Sequence, residues 1–244
     1  MPFLLVHGLA SNARMWDGVA AVLAEAGHDV AAVDLRGHGQ SPKPDEGYDF
    51  GSVVDDLLAV LDRLGWERAV AAGQSWGGNV VLELALRSPE RVHAAACVDG
   101  GTIELSRRFE SWEDCAEALR PPPLAGPPMV DIEGMVRGRH HDWPESGVIG
   151  MLANFEVRAD GTVAPWLTRE RHMQILHHLW EHRPSLVYAD VAVPLLFIPA
   201  GDKAETSAAA AAAPRGRVAV LEGDHDLHAQ QPEAVARLLL ELAS

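Results

Sequence analysis

The sequence predicts an α/β fold, with a mostly parallel sheet of about six strands flanked by helices and a helical segment inserted into it. Three observations lead to this prediction. Short apolar runs alternate with longer segments of helical periodicity over the first hundred residues or so. This alternation stops between residues 102 and 190, and it resumes at residue 193.

The strand predictions depend on short apolar runs bounded by turn residues. They cover 2–6, 29–34, 68–73, 91–99, 193–201 and 217–223. The helix predictions depend on apolar residues three to four positions apart, with Ser52 as an expected N-cap and Gly27 and Gly65 as stops. They cover 19–27, 52–65, 79–89, the alanine run 208–213 and 232–243.

The region 102–190 has a different character. It holds a proline-rich stretch at 120–128, four of the seven tryptophans and a strong helical pattern at 168–183. We therefore expect residues 1–101 and 191–244 to form the α/β core, and 102–190 to form a helical cap or lid.

Composition limits the possible partners. The 244 residues carry a formal net charge of −15, which argues against nucleic acid or an anionic membrane surface as a partner. The two cysteines do not suggest a disulfide framework. Residues 2–6 are interpreted as a strand rather than a signal peptide, and no apolar run reaches the ~20 residues of a membrane span. We expect a soluble, cytoplasmic protein.

Gly73-Gln74-Ser75-Trp76-Gly77 has the form G-x-S-x-G and lies between a predicted strand and a predicted helix. A tight turn there would hold Ser75 in a strained conformation as a nucleophile, with glycines allowing strand and helix to approach. The alternative is an ordinary turn serine, but the flanking elements favour the nucleophile. The N–H groups of Trp76 and of Leu9, in the loop after the first strand, would form the oxyanion hole.

The chain resembles the α/β-hydrolase superfamily. The resemblance is carried by "VHGLASNARMW" (6–16), "VDLRGHGQS" (33–41), "GQSWGG" (73–78), "SPERV" (88–92) and "GDHDLHAQQPEAV" (223–235), in the order of the family. These segments lie outside the region 102–190, which falls where the family carries its cap. The resemblance implies hydrolysis of esters, thioesters, lactones or amides without a cofactor.

The resemblance also implies the partners of Ser75. His225 falls on the family's catalytic base, and His228 is the runner-up. A role in packing or in supporting the site from behind is expected for His228, and a structural role within its loop for His7. The family's usual acid position holds Ala204. Asp202 could serve if the turn is shortened, and Glu205 if it is lengthened. Asp99, at the end of the fourth strand, is the alternative used by some relatives, so the acid stays open between Asp99 and Asp202, with Glu205 third.

The family usually begins with a two-stranded hairpin, and this sequence begins at the strand that follows it. The strand 29–34 is therefore expected at an edge of a six-stranded sheet, where it could pair with another chain. The protein is accordingly expected to be a monomer or a homodimer.

Two further sequence patterns could indicate a different kind of site. His178 and His182 lie four positions apart on one predicted helix, but no metal motif surrounds them, and no metal site is expected. "RGHGQS" and "GQSWGG" lack the spacing of a dinucleotide-binding loop. Arg137, Arg139, His140 and His141 could meet a polar or anionic group or form a solvated face.

The sequence thus predicts a serine hydrolase acting on a carboxylic ester or related acyl compound with an apolar part. Apolar residues of the cap, among them Met135, Met151 and Phe155, suggest an apolar pocket. Alternatives within the fold are a C–C bond hydrolase and a cofactor-free haloperoxidase. A non-catalytic ligand-binding protein on the same scaffold is the alternative from another class, which Ala204 favours.

Overall fold

The computed structural model describes residues 1–243 and contains eight strands. They are β1 (Phe3–Val6), β2 (Val30–Val33), β3 (Ala69–Gln74), β4 (Val92–Val98), β5 (Phe155–Val157), β6 (Val163–Pro165), β7 (Leu195–Ile198) and β8 (Gly216–Val218). Six of them form one parallel sheet in the order β2-β1-β3-β4-β7-β8. This confirms the predicted fold class.

Ten α-helices accompany the strands within the described residues. They are α1 (Asp17–Glu25), α2 (Phe50–Leu64), α3 (Trp76–Arg87), α4 (Trp112–Ala118), α5 (Met129–Arg139), α6 (Glu145–Leu152), α7 (Arg169–Glu181), α8 (Ala204–Ala212), α9 (Leu227–Gln230) and α10 (Pro232–Leu240). Short 3-10 helices cover Ala13–Trp16, Leu105–Arg107, Pro184–Leu186, Tyr188–Asp190 and Glu241–Ala243.

Helices cover both faces of the sheet, and alternate residues of β1 contact the two layers. Leu4 and Val6 belong to the core formed with α2, α3 and α8, whereas Phe3 and Leu5 belong to the core formed with α1 and α10. Because successive side chains of a strand point to opposite faces, a strand buried on both sides is apolar throughout. This explains why β1 is a continuous apolar run.

Helix α2 begins earlier than the sequence pattern indicated. Asp49, not Ser52, is its N-cap, and its carboxylate accepts hydrogen bonds from the Ser52 N–H at 3.0 Å and the Ser52 hydroxyl at 2.7 Å. The predicted cap at Ser52 was therefore wrong, because both residue types can cap and Asp49 lies a turn earlier. The helix ends at Gly65, as predicted, with a left-handed φ of 68°.

The segment between β4 and β7 contains helices α4 to α7 and also the antiparallel pair β5–β6. The expectation of a purely helical insert was thus incomplete. Its apolar residues form a third cluster, in which Ile132, Val136 and Trp143 pack with Met15 of the core. The insert is therefore attached to the core beside the loop that follows β1.

Strand β2 lies at an edge of the sheet, as predicted, and all four of its residues are half-buried. Whether this edge pairs with a second chain stays a prediction. None of the helices within residues 1–243 combines the length and the apolar character needed to cross a membrane.

Candidate active site

Ser75 occupies the turn between β3 and α3, with φ 53° and ψ −122°. This left-handed conformation is rare for a residue with a side chain and marks a strained position. The Ser75 N–H donates to Val98 O at 3.0 Å, which ties the turn to β4. A side chain at Gly73 would clash with the backbone of Gly77, so the glycines permit the close approach of strand and helix. The geometry is that of a nucleophile elbow.

Asp99 follows β4 and binds the imidazole of His225. The distance from His225 Nδ1 to Asp99 Oδ2 is 2.6 Å. Oδ1 of the same carboxylate accepts from the Ala200 N–H at 2.9 Å and from the Lys203 ammonium. The Asp99 side chain is only 5% exposed, and its backbone has a positive φ of 42°. The carboxylate is thus fixed by three donors. Ala200 and Lys203 follow β7, and His225 follows β8.

The pKa values of Asp99 and His225 are shifted in the directions that suit an orienting acid and a base. Burial tends to raise the pKa of Asp99, but hydrogen bonds from His225, Lys203 and Ala200 outweigh burial and lower that pKa to about 2. The hydrogen bond to Asp99 in turn raises the pKa of His225, against the effect of burial. An ionised Asp99 therefore stabilises the imidazolium form of His225.

His225 and Asp99 both lie beside the elbow. Gln74, which precedes Ser75, donates from Nε2 to the His225 carbonyl at 3.1 Å. Gly100 packs so closely on the Ser75 backbone that an added side chain would clash with it. Within residues 1–243 the Ser75 hydroxyl forms no hydrogen bond. A hydrogen bond between nucleophile and base is often long before substrate binds.

The loop after β1 lies against the same turn. A side chain at Gly8 would approach Cβ of Ser75 to 3.1 Å and would also clash with the Gln74 side chain. Trp76 is the first residue of α3, and its N–H has no acceptor within residues 1–243, nor has the N–H of Leu9. Both amides predicted for the oxyanion hole are thus free of other acceptors.

Two buried histidines hold that loop. His7 bonds through Nδ1 to Gly8 O at 2.7 Å and through Nε2 to the Leu35 N–H at 3.0 Å. Nε2 of His38 accepts from the Ala10 N–H at 3.3 Å, next to Leu9. Burial lowers the pKa of His7 to about 4 and that of His38 well below its usual value, so both are neutral at pH 7. His7 lies in the loop as predicted, whereas the contact of His38 was not foreseen.

Neither of the other candidate acids bonds to the imidazole within residues 1–243. Asp202 is exposed and has no side-chain hydrogen bond or ion pair within residues 1–243, and Glu205 is exposed on α8. The structure thus brings Asp99, rather than Asp202 or Glu205, to His225. Lys203 fills the space beside the carboxylate instead. The sequence contained no signal for this ion pair.

His228 is fully buried against Trp16, with ring centroids 4.4 Å apart. Neither ring nitrogen has a partner among residues 1–243, and burial lowers its pKa to about 3. His228 therefore packs in the core as a neutral ring, in line with the packing role expected for it.

The histidines of α7 do not form the pair considered from the sequence. His182 turns to the core, where Nε2 lies 2.9 Å from Glu83 Oε1 and Nδ1 lies 3.0 Å from Asn79 Nδ2. Among the described residues, His177, His178 and Glu181 do converge closely enough to ligate a metal ion. This cluster lies at the surface of α7 and has no connection to Ser75.

Comparison with known proteins adds to this geometry. The model of the alpha/beta hydrolase fold family matches residues 1–126, slightly more than half of the chain. The chain belongs to the α/β-hydrolase family. Among curated relatives, epoxide hydrolase A of Mycobacterium tuberculosis is 40% identical over 97 residues, which cover 39% of this α/β-hydrolase and 30% of the relative. The chain spans less than half the length of the curated relatives it matches.

Solved structures show the same fold over nearly the whole chain. The crystal structure of E-2-(acetamidomethylene)succinate hydrolase superposes with a TM-score of 0.81 at 21% identity, over 99% of this α/β-hydrolase and 91% of that chain. The Mycobacterium tuberculosis esterase described in a study of transition metal inhibition superposes with a TM-score of 0.77 at 23% identity. The superposition covers 99% of this α/β-hydrolase and 85% of the esterase chain. At these identities the likeness establishes the fold, and the named relatives are hydrolases.

Proposed function

We propose that this α/β-hydrolase is a serine hydrolase that cleaves a carboxylic ester or a related acyl compound, such as a thioester or lactone, through an acyl-enzyme. The observation that carries the proposal is the hydrogen bond between His225 Nδ1 and the buried Asp99 carboxylate, beside the strained turn of Ser75. An elbow serine with a base, and a base with an orienting acid, form the arrangement of nucleophilic acyl transfer.

In the proposed mechanism the Ser75 hydroxyl attacks the carbonyl carbon of the substrate, and His225 Nε2 accepts its proton. Asp99 holds the imidazole in the tautomer with Nδ1–H and stabilises the cation that forms. Collapse of the tetrahedral intermediate expels the alcohol or thiol, which takes the proton from His225. Water then attacks the acyl-enzyme with His225 again as base, and releases the acid and free Ser75.

The negative charge of the tetrahedral intermediate would be bound by the Leu9 and Trp76 N–H groups. Loss of one such donor typically costs about 10²- to 10³-fold in kcat. The support for this assignment is that Trp76 follows Ser75, that Leu9 follows Gly8, which packs on Ser75, and that both amides lack other acceptors in the described chain. His38 supports the loop by binding the Ala10 amide, which favours a fixed position of Leu9.

The test is the hydrolysis of 4-nitrophenyl butyrate by the wild-type chain, by Ser75→Ala and by Ser207→Ala. Ser207 is an exposed residue of α8 and serves as the matched control. We expect Ser75→Ala to lose about 10³-fold or more in kcat with an unchanged circular dichroism spectrum, and Ser207→Ala to keep the wild-type rate. Wild-type activity in Ser75→Ala would refute the proposal.

A further inference from the structure

A cavity of about 890 Å³ lies between the insert and the core. On the core side it touches Ala10, the neighbour of Leu9, and Asp226, the neighbour of His225. Its remaining lining comes mainly from residues 121–172, and Ser75 itself is not part of it. The cavity therefore begins beside the two loops that serve the elbow and extends away from them under the insert. This is the position expected for the acyl part of a substrate bound at Ser75.

The walls of the cavity are largely apolar. Its apolar lining includes Met135, Val136, Met151, Phe155, Trp166 and Leu167. Cavities of a few hundred to a thousand Å³ with such walls bind small organic ligands. The walls thus suit an alkyl or similar apolar chain.

The charged residues of the cavity are mainly cations, although the chain as a whole is strongly acidic. Of 20 lysines and arginines in the chain, five line this cavity, whereas only two of 35 acidic residues do so, Glu156 and Asp226. The five cations are Lys43, Arg139, Arg158, Arg169 and Arg171. A concentration of one sign of charge in a cleft raises the local concentration of ligands with the opposite charge.

Most of these cations are not neutralised by the protein. Arg171 pairs with Asp45 at 3.2 Å. Arg139, Arg158 and Arg169 are exposed at the rim and have no side-chain partner within residues 1–243. Elsewhere on the insert, by contrast, Arg137 is bound by two glutamates at 2.8 and 2.7 Å. The rim arginines are therefore available to a ligand.

Lys43 is held inside the cavity without an acidic partner. Its ammonium donates to Gly39 O at 2.7 Å and Ser41 O at 3.1 Å, and it lies over the Trp166 ring at 4.9 Å. Carbonyl groups and an aromatic face fix the position of this ammonium but leave its full charge uncompensated. Lys43 thus contributes a fixed positive charge to the apolar wall.

Two buried polar atoms also belong to residues of this lining. Ser11 Oγ and His140 Nδ1 are inaccessible to solvent and have no hydrogen-bond partner within residues 1–243. Buried polar groups of this kind ordinarily find a partner. Asp226, the inner of the two acids, lies at the end next to His225, where burial raises its pKa.

We propose that the substrate of this site is an acyl compound whose acyl chain ends in a carboxylate, with the chain in the cavity and the carboxylate at the cationic rim. The proposal rests on the proposed function of Ser75 for the orientation of the substrate. Apolar walls bind the chain, while arginines match the planar carboxylate by paired N–H donors. A neutral ester of the same length would leave these cations without a partner.

The first test compares two esters of equal length, the 4-nitrophenyl monoester of suberic acid and its counterpart with the far carboxyl group methylated. We expect kcat/KM to be higher for the free carboxylate by about tenfold or more, and this ratio to fall as salt rises from 50 to 500 mM. The double variant Arg139→Gln/Arg158→Gln should lose most of this preference, through a fall in kcat/KM for the free carboxylate. Arg63→Gln, an exposed arginine at the end of α2, is the control and should keep the preference.

A binding measurement separates this proposal from the proposed function. Calorimetric titration of Ser75→Ala with monomethyl suberate and with dimethyl suberate requires no catalysis. We expect the monoanion to bind at least about tenfold more tightly, and most of this preference to be lost when Ser75→Ala also carries Arg139→Gln and Arg158→Gln. Equal or tighter binding of the neutral diester would overturn the carboxylate proposal whatever the activity of Ser75. A clear preference for the anion without any ester hydrolysis would overturn only the proposed function.

Discussion

Nδ1 of His225 lies 2.6 Å from Oδ2 of Asp99, across 126 positions of the chain. Asp99 directly follows β4, whereas His225 lies in the loop before α9, so the contact exists only in the folded protein. If Asp99 is the orienting acid, Asp99→Asn should lower kcat by up to about 10⁴-fold with little change in KM, because an amide can favour the wrong imidazole tautomer. Steady-state kinetics on a chromogenic ester measure this loss.

Asp202→Asn is the matched control, since Asp202 is exposed and unpaired within residues 1–243. It should change kcat by less than about twofold. A large loss in Asp202→Asn with an active Asp99→Asn would assign the acid to the other carboxylate.

Lys203 and His225 bind different oxygens of the Asp99 carboxylate, so the lysine should affect the pH profile. His225 acts as a base only when neutral, and its pKa is raised, so kcat/KM should fall as pH decreases through a value above 6.5. The Lys203 cation opposes the imidazolium and lowers the His225 pKa. Lys203→Met should therefore move the acid limb of the profile to higher pH.

Lys203→Arg keeps the positive charge and should keep the acid limb close to that of the wild type. A purely structural role for Lys203 would lower activity equally at all pH values, without a shift. A shift of the acid limb to lower pH in Lys203→Met would contradict the effect on the His225 pKa that we assign to the positive charge of Lys203.

Gly77 fixes the distance between α3 and the loop after β1. A side chain there would clash with the carbonyls of Val6 and His7, which are backbone atoms and cannot move independently. Gly77→Ala should therefore lower the free energy of unfolding by at least about 2 kcal/mol. Urea denaturation measures the change.

Gly134 provides the comparison, because it lies within α5 and has nothing within 4 Å of an added Cβ. Gly134→Ala should raise the free energy of unfolding by about 0.5–1 kcal/mol through helix propensity. Similar effects of the two substitutions would argue against the close packing described for the elbow.

His228 and His7 are both fully buried, but only His7 is hydrogen-bonded. His228→Leu should keep or raise the free energy of unfolding at pH 7, by about 1 kcal/mol, because an unpaired polar ring is replaced by an apolar side chain. His7→Leu should lower it by about 1–3 kcal/mol, because Gly8 O and the Leu35 N–H lose their partner.

Burial of His228 should also make the free energy of unfolding depend on pH. The folded-state pKa of His228 is about 3, below the unfolded value near 6.5, so its neutral ring costs stability progressively as pH falls from 6.5 towards 3. Unfolding measured between pH 7 and pH 4 should depend less on pH in His228→Leu than in the wild type. An equal or steeper dependence in His228→Leu would mean that folding does not lower the pKa of His228.

The sequence pattern predicts the sheet and the elbow because both depend on local rules. Continuous apolar runs indicate strands buried on two faces, and G-x-S-x-G between a strand and a helix indicates the turn at Ser75. The acid was left open because the choice between Asp99 and Asp202 depends on how the ends of β4 and β7 meet. No local pattern encodes that relationship.

Two structural features were not predicted, and only one of them has a signal in the local sequence. The hairpin of β5 and β6 had a local signal, since Asp160-Gly161 between Val157 and Val163 is typical of a tight turn, and Gly161 has a φ of 80°. The contact of His182 with Glu83 had none, because it joins α7 of the insert to α3 of the core. Helical spacing placed His182 beside His178, but tertiary packing turned it inward.

The central claim is that Ser75 is a nucleophile activated by His225, and covalent labelling by a fluorophosphonate tests it most directly. Mass spectrometry of the native chain should find one adduct, on the peptide that carries Ser75. The adduct should be absent in Ser75→Ala and form far more slowly in His225→Ala. A wild-type chain that stays unlabelled, or that is labelled at another serine while Ser75 is unmodified, would contradict the account.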